Sequence, residues 1–90
     1  MSYRVLLHPK AAEFLRKTDA QLRERIKDRL RELADQPERK GQRLRHSPFW
    51  RLRIGDYRAI YILNKEKREV IILFIGHRRD IYDDLSRLIY

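Results

Sequence analysis

Ninety residues with 22 Lys and Arg against 13 Asp and Glu give a formal charge of +9, and there is no cysteine. This length supports one compact core, read as a single domain over residues 1–90, and the missing cysteines exclude disulfide staples, thiol chemistry and cysteine-based metal sites. The longest apolar run, Val70–Ile75, is far short of the roughly 20 residues of a membrane-spanning helix. MSYRVLLHPK does not read as a secretory signal, so a cytoplasmic location with no membrane partner is expected.

Tyr3–Leu7 alternates weakly and predicts a first strand. Pro9 then suits the first turn of a helix with Ala11, Ala12, Phe14 and Leu15 on its apolar side. Thr18, with Gln21 three residues on, predicts the N-cap of a second helix. Its apolar stripe is Leu22, Ile26, Leu30, Leu33 and Ala34, and Pro37 ends it near Gln36. Residues 37–48 (PERKGQRLRHSP) predict a basic loop.

Trp50, Leu52 and Ile54 alternate with Arg51 and Arg53, the pattern of a half-buried strand. Gly55-Asp56 predicts a two-residue type II′ turn into a strand over Tyr57–Leu63. The nearly unbroken apolar run EVIILFIG predicts a central strand covered on both faces. Asp80, Asp83 and Asp84 belong near the start of a terminal helix, with Tyr82, Leu85, Leu88 and Ile89 on its apolar side. Tyr90 can serve either packing or contact. The expected fold is α+β, in the order β-α-α-β-β-β-α: an antiparallel sheet with an N-terminal helical hairpin and a short C-terminal helix.

The tight turn fixes the hairpin register, and with it a chemical face. Arg53 opposes Arg58 and Arg51 opposes Ile60, so Arg51, Arg53 and Arg58 share one side while Trp50, Leu52, Ile54, Tyr57, Ala59 and Tyr61 share the other. Like charges directly opposite one another cost a sheet roughly 0.2–1 kcal/mol, so this arrangement points to an anion site. The plainer possibility is that Asp80, Asp83 or Asp84 neutralises the arginines, or that they only face solvent. Sixteen of the 22 cations are Arg, whose planar fork suits phosphate, and the surplus charge favours a polyanion such as nucleic acid.

The cluster Gly76-His77-Arg78-Arg79-Asp80-Ile81-Tyr82 follows the last strand. It is expected to bring His77, Arg78 and Tyr82 toward the arginines, with Arg43, Arg45 and Arg79 as further RNA contacts. His77 is the side chain suited to proton transfer near neutrality, although a lone histidine more often has a surface or capping role; Tyr82 at helical spacing from Leu85 equally fits a packing role. No H-x-x-x-H, G-x-S-x-G or P-loop is present, so no metal and no cofactor is expected. Arginines with a His and a Tyr nearby suit a metal-free reaction, RNA cleavage by its own 2′-hydroxyl. That reaction needs alignment, charge stabilisation and proton transfer.

WRLRIGDYRAIY, followed about twenty residues later by IGHRRDIY, resembles the RelE branch of the RelE/ParE superfamily of type II toxin–antitoxin toxins. The likeness extends through KGQRLRHSPFW and most of the chain. It implies a toxin that cleaves mRNA on the ribosome, contacts rRNA, is inhibited by a cognate antitoxin, and meets operator DNA only through the antitoxin complex. By the same resemblance Arg51 and Arg53 are the strand cations and Arg58 stabilises the transition-state phosphate. Arg78 is the donor to the leaving 5′-oxygen, and Tyr82 stacks on or orients a base. The strand pair is commonly Lys in the family and is Arg here, which leaves the proton acceptor open, with His77 as candidate. Two alternatives share the fold: a ParE-like non-nucleolytic toxin acting on DNA gyrase, and a degenerate RNA-binding regulator.

Overall fold

The computed structural model describes residues 2–89; Tyr90, and the side chains of Leu88 and Ile89, lie outside the described part. Strand β1 (Arg4–Leu7) leads into helix α1 (Pro9–Lys17), whose N-cap is His8, its ring nitrogen accepting from the Lys10 amide at 3.2 Å. Helix α2 spans Ala20–Arg31 and is followed by a 3-10 turn at Glu32–Ala34. Its N-cap is Asp19 and not the expected Thr18, which instead terminates α1. The Asp19 carboxylate accepts from the Leu22 amide at 2.9 Å; as an anion it answers both the orphan amides and the helix dipole, which a hydroxyl does less well. Asp19→Ala should cost about 1 kcal/mol of stability in urea unfolding, whereas Thr18→Ala should cost less.

The stretch expected to be all loop contains a one-turn helix α3 (Pro37–Lys40) and a two-residue strand β2 (Gln42–Arg43). Strands β3 (Trp50–Ile54), β4 (Tyr57–Asn64) and β5 (Glu69–His77) form the anticipated meander, and helix α4 (Ile81–Ile89) closes the chain. The sheet order is β1-β5-β4-β3-β2. All its pairings are antiparallel except β1 with β5, which run parallel; the expected antiparallel sheet is thus present, joined by a first strand whose direction the sequence had not specified. The helical hairpin returns the chain from the end of β1 without pairing it to its sequence neighbour, so β1 is free to join the last strand.

The apolar run of β5 is explained by its place between β1 and β4 and by a bulge. Ile60 opposes Phe74 while Tyr61 opposes Ile72, which leaves Leu73 as the extra residue. An extra residue resets the two-residue alternation of side chains. Val70, Ile72 and Ile75 therefore join Ala11, Leu15, Ile26, Leu30, Leu52, Ala59 and Tyr61 in the main core beneath α1 and α2. Leu73 and Phe74 join Ile60, Ile81 and Leu85 in a second cluster beneath α4 on the opposite face. Leu44 and Phe49 pack against that second cluster, so the arginine-bearing face is partly covered by α4 and by the loop after β2. Among the described residues no helix is long and apolar enough to cross a membrane.

Candidate functional site

Gly55, with φ +59°, supplies the positive φ that a type II′ turn requires at its first central position. The observed pairs are Ile54 with Tyr57, Arg53 with Arg58, Leu52 with Ala59, Arg51 with Ile60 and Trp50 with Tyr61. Leu52, Ile54, Ala59 and Tyr61 are buried in the main core, with Trp50 and Tyr57 packed against it. Arg51, Arg53 and Arg58 consequently stand together on the opposite face. They line an open groove of about 330 Å³ with Lys40, Gly41 and Gln42. Four cations and no carboxylate form that lining.

Each arginine is held differently. Arg51 donates to the Gln42 side-chain carbonyl from β2 and to the Tyr82 hydroxyl from α4. Arg58 donates from one guanidinium nitrogen to the backbone carbonyls of Gly55 (2.7 Å) and Tyr57 (2.8 Å), which keeps it folded over the turn. Arg53 is exposed directly opposite Arg58. None of the three takes part in an ion pair among the described residues; Asp84 pairs with Arg87, and Asp56 lies 4.0 Å from Arg78. The neutralised arrangement allowed by the sequence is therefore not adopted. The groove keeps its like-charge cost, which an anion would relieve.

Arg78 is fixed at the same end of the sheet: its amide donates to the Asp56 carbonyl at 2.8 Å, and its guanidinium faces the Asp56 carboxylate. Gly76, two residues earlier, is the strand partner of Arg58. Tyr82 is 40% exposed, and its hydroxyl meets Arg51, so α4 does bring it to the arginine face.

His77 is not brought there. It pairs with Tyr57, on the core-facing side, and its ring meets the Tyr57 ring edge-on at 5.5 Å. It lines a cleft with Phe14 and Thr18 on the helix-covered side of the sheet. Its Nδ1 accepts from the Arg79 amide at 3.2 Å, a local turn contact. The expectation that His77 joins the arginines is thereby corrected: register puts it on the other face. Arg43 pairs with Trp50 and lines a separate cleft with Glu38 and Pro48, its Nε bonded to the Ser47 carbonyl at 3.0 Å. Arg45 and Arg79 are exposed on the loop after β2 and the turn before α4. The residues not anticipated are Lys40 and Gln42. Once β2 pairs with β3, Gln42 opposes Arg51, but a two-residue strand leaves no periodicity from which to read it.

Below the groove, Tyr61 anchors the α3–β2 segment. Its fully buried hydroxyl donates to the Pro37 carbonyl at 2.7 Å. Burial, with a smaller contribution from the Glu38 charge, pushes its ionisation well above the usual phenol range. In the unfolded chain a phenol ionises near about pH 10, so Tyr61's contribution is complete below that pH and is lost as pH rises beyond it. Tyr61→Phe should cost about 1–2 kcal/mol at neutral pH by stranding the Pro37 carbonyl. In urea titrations the gap between the two proteins should narrow from about pH 9 to 11; a constant gap would mean that the buried phenol ionises freely.

The ParE toxin family of type II toxin–antitoxin systems, parDE, matches residues 5–82. No curated protein sequence matches the chain. Among solved structures, a RelBE toxin–antitoxin complex from Mycobacterium tuberculosis is 27% identical with TM-score 0.80, the match covering 87% of this chain and 100% of the other. A variant of Escherichia coli RelE in the free state is 27% identical with TM-score 0.78 over 100% of both chains. The intact E. coli RelBE complex is 28% identical with TM-score 0.73, over 83% of this chain and 95% of the other.

Proposed function

The chain belongs to the ParE toxin family of type II toxin–antitoxin systems and has the fold of RelE toxins, and we propose that it acts on RNA, as a ribosome-dependent, metal-independent endoribonuclease that stops translation by cutting mRNA. The observation that carries this reading is the groove of Lys40, Arg51, Arg53 and Arg58 with no acidic lining. Arg51 and Arg53 hold the backbone in line for attack by the 2′-hydroxyl. Arg58 answers the charge that develops on the phosphorane. Arg78, at the turn end, stabilises the leaving 5′-oxygen by charge and hydrogen bonding, since a guanidinium effectively keeps its proton. Tyr82 positions Arg51 and presents an exposed ring for a base. The charge of +9 suits docking on rRNA; the exposed Arg45 and Arg79 add further cations for that contact, and Arg43 adds one from its separate cleft. A cognate antitoxin is the proposed inhibitor, with operator DNA met only through that complex.

A second reading is favoured by the matching family, described as ParE toxin: the ParE-like alternative that the sequence resemblance left open, a non-nucleolytic toxin acting on DNA gyrase. Primer extension on translated message after induction separates the two. Cuts inside codons support the ribonuclease; uncut message with induced DNA damage supports the gyrase poison.

A further inference from the structure

Attack by a 2′-hydroxyl releases a proton, and the groove's arginines cannot take it, because a guanidinium stays protonated throughout the range in which proteins fold. His77 faces the helices. Two groups at the groove can exist without their proton. One is Tyr82, whose hydroxyl oxygen is already engaged by the Arg51 guanidinium. The other is Lys40, the one non-arginine cation of the lining. It ends α3, is exposed, and takes part in no ion pair found among the described residues. The charged groups around it are Arg51 and Arg53 on β3, Arg58 on β4 and, from the 3-10 turn, Glu32, whose carboxylate is bonded to Arg29 and feels the Lys40 charge. Its neighbours on its own helix are Glu38, paired with Lys65, and Arg39.

We propose that Lys40 is the proton acceptor for the attacking 2′-hydroxyl, an assignment that rests on the ribonuclease reading above. As the O2′–P bond forms, the hydroxyl proton passes to the neutral Lys40 amine. The P–O5′ bond breaks, and the leaving oxygen takes a proton from water admitted by the open groove. The products are a 2′,3′-cyclic phosphate and a free 5′-hydroxyl, and Lys40 returns its proton to solvent. The division of labour follows from side-chain chemistry: arginines supply fixed positive charge, and the single lysine supplies a site that can be vacant.

The test is single-turnover cleavage of message on programmed ribosomes from roughly pH 6 to 9, with wild type, Lys40→Arg, Lys40→Gln and Tyr82→Phe. Lys40→Arg keeps charge and reach but cannot lose its proton. It should bind ribosomes as wild type does yet cleave about 10²–10³-fold more slowly, without the rise in rate with pH expected of wild type. Lys40→Gln should be as slow and bind more weakly, and Tyr82→Phe should keep the pH-dependent rise. Lys40→Arg cleaving within about threefold of wild type with an unchanged pH profile would overturn the proposal, since charge alone would then suffice. Loss of the pH-dependent rise in Tyr82→Phe would also overturn it, by assigning the proton to the phenol. Message left uncut by wild type overturns the ribonuclease reading itself and Lys40's role with it.

Discussion

Arg58→Ala is expected to slow message cleavage by about 10²–10³ while leaving the fold in place. Removing one donor aimed at developing negative charge typically costs that much, because such a group acts where water is displaced and needs no reorganisation. Two structural effects of the substitution oppose one another. Arg58 donates to the carbonyls of Gly55 and Tyr57, bonds worth about 0.5–1.5 kcal/mol each, more where a charged donor is involved. It also stands directly across from Arg53, a juxtaposition that costs about 0.2–1 kcal/mol. The two bonds less the repulsion come to about 0–3 kcal/mol, below the stability of an ordinary domain. Thermal unfolding and single-turnover cleavage measured together separate the catalytic loss from the structural one. A folded Arg58→Ala protein that cuts at the wild-type rate would remove Arg58 from the mechanism.

Gly41→Ala is expected to destabilise the protein by about 1–3 kcal/mol and to impair the groove as well. The reason is close approach and not backbone freedom, since Gly41 has φ −109° and ψ −176°, extended backbone that any residue adopts. A Cβ there would lie 1.9 Å from the Tyr61 hydroxyl oxygen and 2.9 Å from the Arg51 carbonyl oxygen. Tyr61 is fully buried and bonded to the Pro37 carbonyl, and the Arg51 carbonyl belongs to β3, so neither can yield cheaply. The chain at α3–β2 must shift, which pulls Gln42 from Arg51 and moves Lys40. Gly76→Ala is the comparison: its Cβ would meet Ile81 at 3.4 Å, an ordinary contact, and its cost should be smaller. Urea unfolding of the two variants checks the difference. Equal losses would mean that the α3–β2 segment adapts freely.

The parts of this fold legible in the sequence are those governed by local rules. Gly55-Asp56 fixed a two-residue turn, the turn fixed the pairing of Arg53 with Arg58, and the period of two then assigned every hairpin side chain to its face. The placement of His77 escaped the same logic because β5 carries its bulge inside an unbroken apolar run. EVIILFIG has no alternation to reveal the extra Leu73, so counting along the strand gives the wrong face, and only pairing with Tyr57 settles it. The α3–β2 segment escaped for another reason. An element of four residues and one of two are too short to show a period, and they are held by long-range contacts, from Tyr61 to Pro37 and from Arg51 to Gln42. Lys40 and Gln42 belong to that segment, so the sequence showed three of the groove's cations and left out the lysine.

In the proposed reaction the arginine groove directs a 2′-hydroxyl against the adjacent phosphate of ribosome-bound message. Its most direct measurement uses purified protein and ribosomes programmed with two messages, one all-ribose and one carrying a single 2′-deoxynucleotide at the cut position. The all-ribose message should be cut, leaving a 2′,3′-cyclic phosphate and a 5′-hydroxyl, and the message should stay whole at the deoxy position. Equal cutting of both messages, or an intact all-ribose message, would contradict it.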